Sequence, residues 1–469
     1  MDELCDLPAV EQAALLRRGA VSARELLQRH LDRIERVNPK VNAIPTLVSD
    51  AALDAARAAD ERQASGQRLG PLHGLPFAVK DTHETQGIRT TWGSPLFADH
   101  VPERDELVVA RIRAAGAVIL GKTNVPEFAA GSHTFNPVFG TTRNPYDLDR
   151  SAGGSSGGAA AALATGMTAL AEGSDMGGSL RNPASFCNVV GLRPSPGRVA
   201  TWPSRTPWQT MSVQGPMGRT VTDAALLLSV LAGPDPRDPI SLTEPGASFA
   251  APLDRDLTGL RLAWSPDLGG TVRTASCVVE ALAPQVSVFT ELGCHVEEAS
   301  PDFTDAEEVF RTLRAWQFLL AFGPLVEAHP ESVKESIRWN VSVGRDLTGE
   351  DLARAEVAHG ALFHRVREFF EHYDALLLPV SQVAPFPAEL EYPTEIDGEP
   401  QATYLDWMRS AYFVSATGCP ALSVPAAFAP DGLPIGLQVV GPHRAERLVL
   451  EIAHAFEQAT SASKRRPVL

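Results

Sequence analysis

The stretch "ELVVARIRAAGAVILG", Glu106 to Gly121, reads as a helix, "ELVVARIRAAG", running straight into a short apolar strand, "AVILG". A Gly-rich loop follows, then an alanine-rich helix, "GGAAAALATG" (157–166), and a second strand, "TALAEG" (168–173). Upstream, "FAVKD" (77–81) is short and apolar enough for a buried strand. Strands that alternate with helices in this way indicate an α/β sheet with helices on both faces.

Outward from that core, Ser22 and Glu25 open "SARELLQRHLDRIERV" as a Ser-x-x-Glu capping box, and Leu27, Leu31 and Ile34 recur at helical spacing. With "ALDAARAAD" behind it, residues 1–65 read as an N-terminal helical layer. The second half carries a helix after Thr220, a strand "LRLAWSP", long helices over 306–326 and 352–370, strand-like runs "DALLLPV", "ALSVPAAF" and "LPIGLQVVG", and a last helix over 445–458. Residues 234–259 are rich in Pro and Gly and read as an internal linker.

Composition narrows the function classes. With 44% hydrophobic and 21% charged residues in 469, the chain is neither disordered nor fibrous. A net charge of -16 argues against a nucleic-acid partner, which needs clustered Lys and Arg. The five cysteines are odd in number, widely spaced and in no CxxC pair, the pattern of reduced thiols in a cytoplasmic protein. No basic leader and no long apolar run suggests secretion or a membrane span.

Three segments carry candidate chemistry. Gly116 to Thr123 satisfies GxxxxGK[ST], but its middle, "AVIL", is the strand itself, so it reads as a helix-to-strand junction rather than a phosphate loop. "SAGGSSGG" from Ser151 presents paired hydroxyls, Ser155 and Ser156, ahead of a buried helix. "GSDMGGSLR" (173–181) sets Ser179 behind two glycines, so that a hydroxyl and neighbouring N–H groups face one small volume, as acyl transfer requires. On this reading the glycines leave room for a substrate carbonyl. No histidine is an evident base for Ser179; His73 and His133 sit in turns or loops. Lys80 ends an apolar run and is either the base of a Ser-Lys site or a salt-bridge partner of Asp81 or another carboxylate.

Together, "GPLHGLPFAVKD", "GKTNVPEFA", "SAGGSSGGAAAALATG" and "GSDMGGSLRNPASFCNVVGLRPSPGRV" closely resemble the amidase signature family, and "QGPMGRTVTDAALLLSVLAG", "GCPALSVPAAF" and "GLPIGLQVVG" extend the likeness over most of the chain. The resemblance implies one domain over 1–469, a large mixed β-sheet sandwiched by helices, and a Ser-cis-Ser-Lys triad. Its lysine falls on Lys80, its cis-serine on Ser155 and its nucleophile on Ser179. The oxyanion hole would be the backbone N–H groups from Met176 through Gly177 and Gly178 to Ser179, with Ser156, Asp175 and Arg181 supporting the loops. Family members usually carry Thr and Ile at Ser174 and Leu180, a difference that removes no catalytic group. No metal or organic cofactor is required, and a homodimer is compatible with the resemblance.

The implied reaction is amide hydrolysis: neutral Lys80 takes a proton from Ser155, Ser155 takes one from Ser179, and Ser179 attacks. Neutrality at pH 7 requires the lysine pKa to fall from about 10.4 to about 7, roughly 4–5 kcal/mol, which burial can supply. Carbamates and esters would follow the same path. The expected substrates are small neutral aryl or alkyl amides. Ala129, Ala130 and Gly131 would line the acyl side by resemblance, and Phe135, Trp202, Trp208 and Trp316 are aromatic candidates for the walls. The rivals are the glutaminase (A-type) component of glutamyl-tRNA amidotransferase and a non-catalytic anion-binding module. The family's glutamine-binding aspartate falls on Met408, with Asp406 two positions away.

Overall fold

The computed structural model describes residues 3–469. Its centre is an 11-stranded mixed sheet. In spatial order the strands are Thr46–Leu47, Val118–Thr123, Pro76–Lys80, Leu170–Asp175, Val213–Gly218, Val190–Arg193, Ala421–Phe428, Pro434–Val440, Ala375–Pro379, Arg261–Trp264 and His295–Glu298. Strand 76–80 runs parallel to both 118–123 and 170–175. The strands from 170–175 across to 375–379 pair antiparallel, and the last three are parallel again.

The opening stretch folds as its periods dictate. Leu107–Ala114 is a helix, Gly116 turns the chain at φ +91°, and Val118–Thr123 is a strand buried at every residue. Lys122 is therefore sealed inside the fold, where its Nζ donates to His83 O, Thr85 Oγ1 and Thr90 Oγ1, and no phosphate loop exists here. The alanine-rich helix Gly157–Ala164 is buried at all eight positions and packs on strands 76–80, 118–123 and 170–175. Small side chains let it lie close to the sheet on every side.

At the N-terminus Ser22 caps helix Ala23–Val41 by accepting from Glu25 N–H, and Leu27 and Ile34 are buried. Helix Ser49–Ala64 packs beside it. The 234–259 segment is anchored to the core: Phe249, Leu253 and Leu257 are buried, and its short 246–250 turn packs on helix Val221–Leu231.

Candidate active site

Two parallel neighbours, strands 76–80 and 170–175, end on the same side of the sheet, and there the last residue of one, Lys80, meets the penultimate residue of the other, Ser174. Side chains at the carboxyl ends of adjacent parallel strands face one crevice, the usual place for a site in such sheets. Lys80 is fully buried, and its Nζ bonds Ser155 Oγ and Ser156 Oγ at 2.9 Å each and Ser174 Oγ at 3.0 Å. The expected alternative, an ion pair with Asp81, does not form: the Asp81 carboxylate accepts from Thr91 N–H and Thr91 Oγ1 instead. Burial holds the Lys80 ammonium down to about 7, against the opposing pull of Glu172 and Asp175.

The Ser155 and Ser156 hydroxyls come from the loop that enters the alanine-rich helix, where the Gly154–Ser155 peptide is cis. Gly173 explains how Ser156 reaches over the sheet. A Cβ there would stand 2.3 Å from Ser156 Oγ, so only glycine admits the hydroxyl to the lysine. Ser179 lies on the 176–180 loop between strand 170–175 and helix Arg181–Phe186, and its carbonyl accepts from Ser156 N–H at 3.2 Å, which ties the two loops. Ser155, Ser174, Met176 and Ser179 all line one cavity of about 230 Å³.

Two readings of the glycine loop need correction. Gly177 and Gly178 lack side chains because protein stands behind them: a Cβ would meet Phe310 Cζ at 3.0 Å in the first case and Ala411 Cβ at 2.7 Å in the second, where φ is +110°. A vacancy left for a substrate carbonyl is not the reason. The Gly178 N–H is also engaged, since it donates to Asp175 Oδ1 at 2.9 Å. Met176, Gly177 and Ser179 are the loop's remaining N–H donors.

Asp175 and Arg181 do brace the loop. Asp175 accepts from Gly178 and Leu180 N–H and from both Arg181 and Arg193. Burial alone would raise its carboxyl; the two guanidiniums and the Gly178 N–H outweigh that and hold it far below the carboxylate range. Arg181 continues to Ala411 O, Ser415 Oγ and Gln438 Oε1. Glu172 sits beneath Lys80, accepting its N–H at 2.7 Å, and lies 2.7 Å from His83 Nδ1. Sequence reasoning missed Ser174, Glu172, His83 and Arg193. The signal for Ser174 was present, since the family's usual Thr at that position also supplies a hydroxyl.

The cavity walls differ from expectation. Ala129 lines the cavity, together with Phe128, and both hold left-handed backbone at φ +58° and +48°. Such conformations cost about 1–3 kcal/mol each and need support; Glu127 supplies it by accepting from Ser94 Oγ and Lys334 N–H. Ala130 packs away with Val333 and Ile337, and Gly131 faces Lys334. None of the four aromatic candidates lines the cavity. Trp208 is 73% exposed, Trp202 stacks on Arg104 and Arg237, Phe135 packs on His133, and Trp316 is not part of the lining, which its helix supplies through Arg314, Gln317, Phe318, Ala321 and Phe322. Phe318, Phe322 and Phe128 form the apolar wall. It continues through Phe97 and Trp92 into a larger neighbouring cavity of about 540 Å³, where His83 and Glu106 also lie. His133 is buried and bonded to Ser151 Oγ and Ala388 O, away from either cavity. Met408 and Asp406 also lie outside both, and Asp406 pairs with Arg311 and Arg409.

Known proteins resemble this chain along nearly all of its length. The family model described as Amidase matches residues 25–450. An acylamidase of Rhodococcus erythropolis is 36% identical over 467 residues, covering 98% of this chain and 97% of that protein. The A-type component of the glutamyl-tRNA(Gln) amidotransferase of Moorella thermoacetica is 38% identical over 494 residues, covering 100% and 99%. The crystal structure of a bacterial aryl acylamidase of the amidase signature enzymes superposes with a TM-score of 0.91 at 28% identity, covering 98% of this chain and 99% of that one.

Proposed function

This chain belongs to the amidase signature family, a hydrolase acting on amide bonds, and from that premise we propose that it cleaves the C–N bond of aryl or alkyl carboxamides through an acyl-enzyme on Ser179. The observation that carries the reading is the Lys80 amine, buried among three hydroxyls with no carboxylate bonded to it among the described residues. Neutral Lys80 draws a proton from Ser155, and Ser155 draws one from Ser179. The Ser179 oxygen then adds to the substrate carbonyl, with loop N–H groups facing the developing oxyanion. The relay runs back to protonate the departing amine, and water repeats the sequence to release the acid. Carbamates and esters present the same carbonyl geometry and are included. Five thiols without a disulfide support a cytoplasmic setting.

A second reading, glutamine hydrolysis as the glutaminase component of an amidotransferase, is favoured by the Moorella relative's 38% identity over the whole chain. Against it, no described residue lining the acyl cavity carries a carboxylate to receive a glutamine ammonium.

Ser179→Ala is expected to abolish turnover of an acetanilide and to prevent labelling by a serine-directed acylating inhibitor, as read by intact and peptide mass spectrometry. A label found on Ser155 would overturn the assignment. Glutamine cleaved by the chain alone with a higher kcat/KM than acetanilide would transfer the choice to the second reading.

A further inference from the structure

The cavity beside Ser179 contains a cation without a counter-charge. Arg314, on helix Ala306–Ala328, is 6% exposed and lines that cavity, yet it forms no ion pair among the described residues. Arg181, Arg193 and Arg198, buried at least as deeply, each meet a carboxylate within 3.3 Å, and the equally buried Arg219 is met by the backbone carbonyls of Thr168 and Leu7. Arg314 instead rests over the Phe318 ring at 4.2 Å and donates through Nε and Nη2 to Tyr404 Oη. That oxygen is already shared with Asn340 Nδ2. The remaining edge of Arg314, Nη1, meets among the described residues only Met176 Sδ, at 3.0 Å, and a thioether is a weak acceptor. A buried guanidinium is costly unless an anion answers it, and the face left to the poorest acceptor is the one beside the catalytic loop.

We infer that Arg314 is the specificity-determining residue of the acyl site and selects amides whose acyl group carries a carboxylate, an inference that rests on Ser179 being the nucleophile. The acyl group is the part bonded to Ser179 in the intermediate, and Ser179 lines the smaller cavity and not the larger one. Among the described residues lining that smaller cavity, Arg314 alone carries a formal charge; the other polar groups are serines, Thr206, Gln209 and Gln317. The site therefore suits an anion and not a zwitterion. Met176 is unbranched and adaptable, so its sulfur yields Nη1 to a carboxylate oxygen at little cost. The planar fork of arginine then holds that oxygen by a charge-assisted hydrogen bond.

The test compares the monoanilides of succinic, glutaric and adipic acid with neutral alkanoic anilides of the same chain length, with γ-glutamyl anilide, and with N-acetyl-4-aminobenzoate against acetanilide. The expected result is a kcat/KM at least tenfold higher for the best anionic anilide than for its neutral partner. That ratio should fall at least tenfold in Arg314→Met and lie between the two in Arg314→Lys. A purely structural arginine would change overall rates while leaving the ratio unmoved, and that result overturns the inference, as does a wild-type preference for the neutral series. Equal use of γ-glutamyl anilide overturns the exclusion of zwitterions. A preference confined to the aminobenzoate overturns the acyl-side placement. Calorimetry with glutarate and valerate separates this inference from the function it rests on. Glutarate binding that needs Arg314, found without turnover of any anilide, upholds anion selection and defeats amide hydrolysis; binding equal to valerate defeats anion selection.

Discussion

Lys80 is held by a conflict between solvation and hydrogen bonding. Its amine meets three serine oxygens, which satisfy a neutral amine as well as an ammonium, and burial then decides for the neutral form near pH 7. Because the native pKa lies below that of the unfolded chain, the unfolded state binds this proton more tightly. Folding bears a penalty on the order of 4 kcal/mol below about pH 7, and the penalty fades as the pH rises toward about 10.4. Two outcomes follow from the same fact. The acid limb of kcat/KM should have its midpoint near pH 7, and Lys80→Ala should lower kcat by more than a hundredfold; pH-rate profiles on an anilide check both. Lys80→Met should be more stable to urea than the wild type at pH 6–7, with the gap closing between pH 7 and about 10. A gap that ignores pH would mean the lysine stays charged in the native protein.

The 176–180 loop acts as one element. Asp175 grips Gly178 and Leu180 N–H from beneath, Asn182 N–H returns to Gly178 O, and Asn182 Nδ2 reaches Ser132 Oγ, which in turn bonds Gly154 O beside the cis peptide. Gly178→Ala should therefore disturb both serine loops at once. The added Cβ is crowded by Ala411 and Asn182 at 2.7 Å, and the backbone is left-handed. A stability loss of about 1–3 kcal/mol is expected, with kcat falling at least tenfold and KM changing little, as read by thermal melts and steady-state kinetics. The two serine loops were legible in the sequence through the resemblance its motifs carry: Lys80 meets Ser155 and Ser156, Ser179 lines the same cavity as Ser155, and Asp175 pairs with Arg181. The walls were not legible. Phe318, Phe322 and Arg314 come from a helix far along the chain, and nothing in its periodicity says which turn meets the cavity. Arg193 escaped notice for the same reason, since it comes from strand 190–193, separated from strand 170–175 by 213–218.

At the scale of the whole molecule, the Asp175 network joins the sheet's two halves. Arg181 bonds Gln438 across 257 positions of chain, and Arg193 reaches Ser415 O. Asp175→Asn leaves two buried guanidiniums facing an amide and should cost about 3–5 kcal/mol, seen as a lowered Tm with activity lost at temperatures where the wild type is folded. The order of strands was hidden from the sequence, because the hairpin 421–440 inserts between 190–193 and 375–379 and no local signal records that pairing. That insertion has a bearing on biosynthesis. As the chain leaves the ribosome, Lys80, Ser155 and Ser179 emerge long before Ser415 and Gln438, so a nascent chain already carries the proposed reacting groups but lacks partners that hold Arg181. Synthesis of strands 421–428 and 434–440 completes the sheet, and the proposed site is expected to stay unbraced until they have been made.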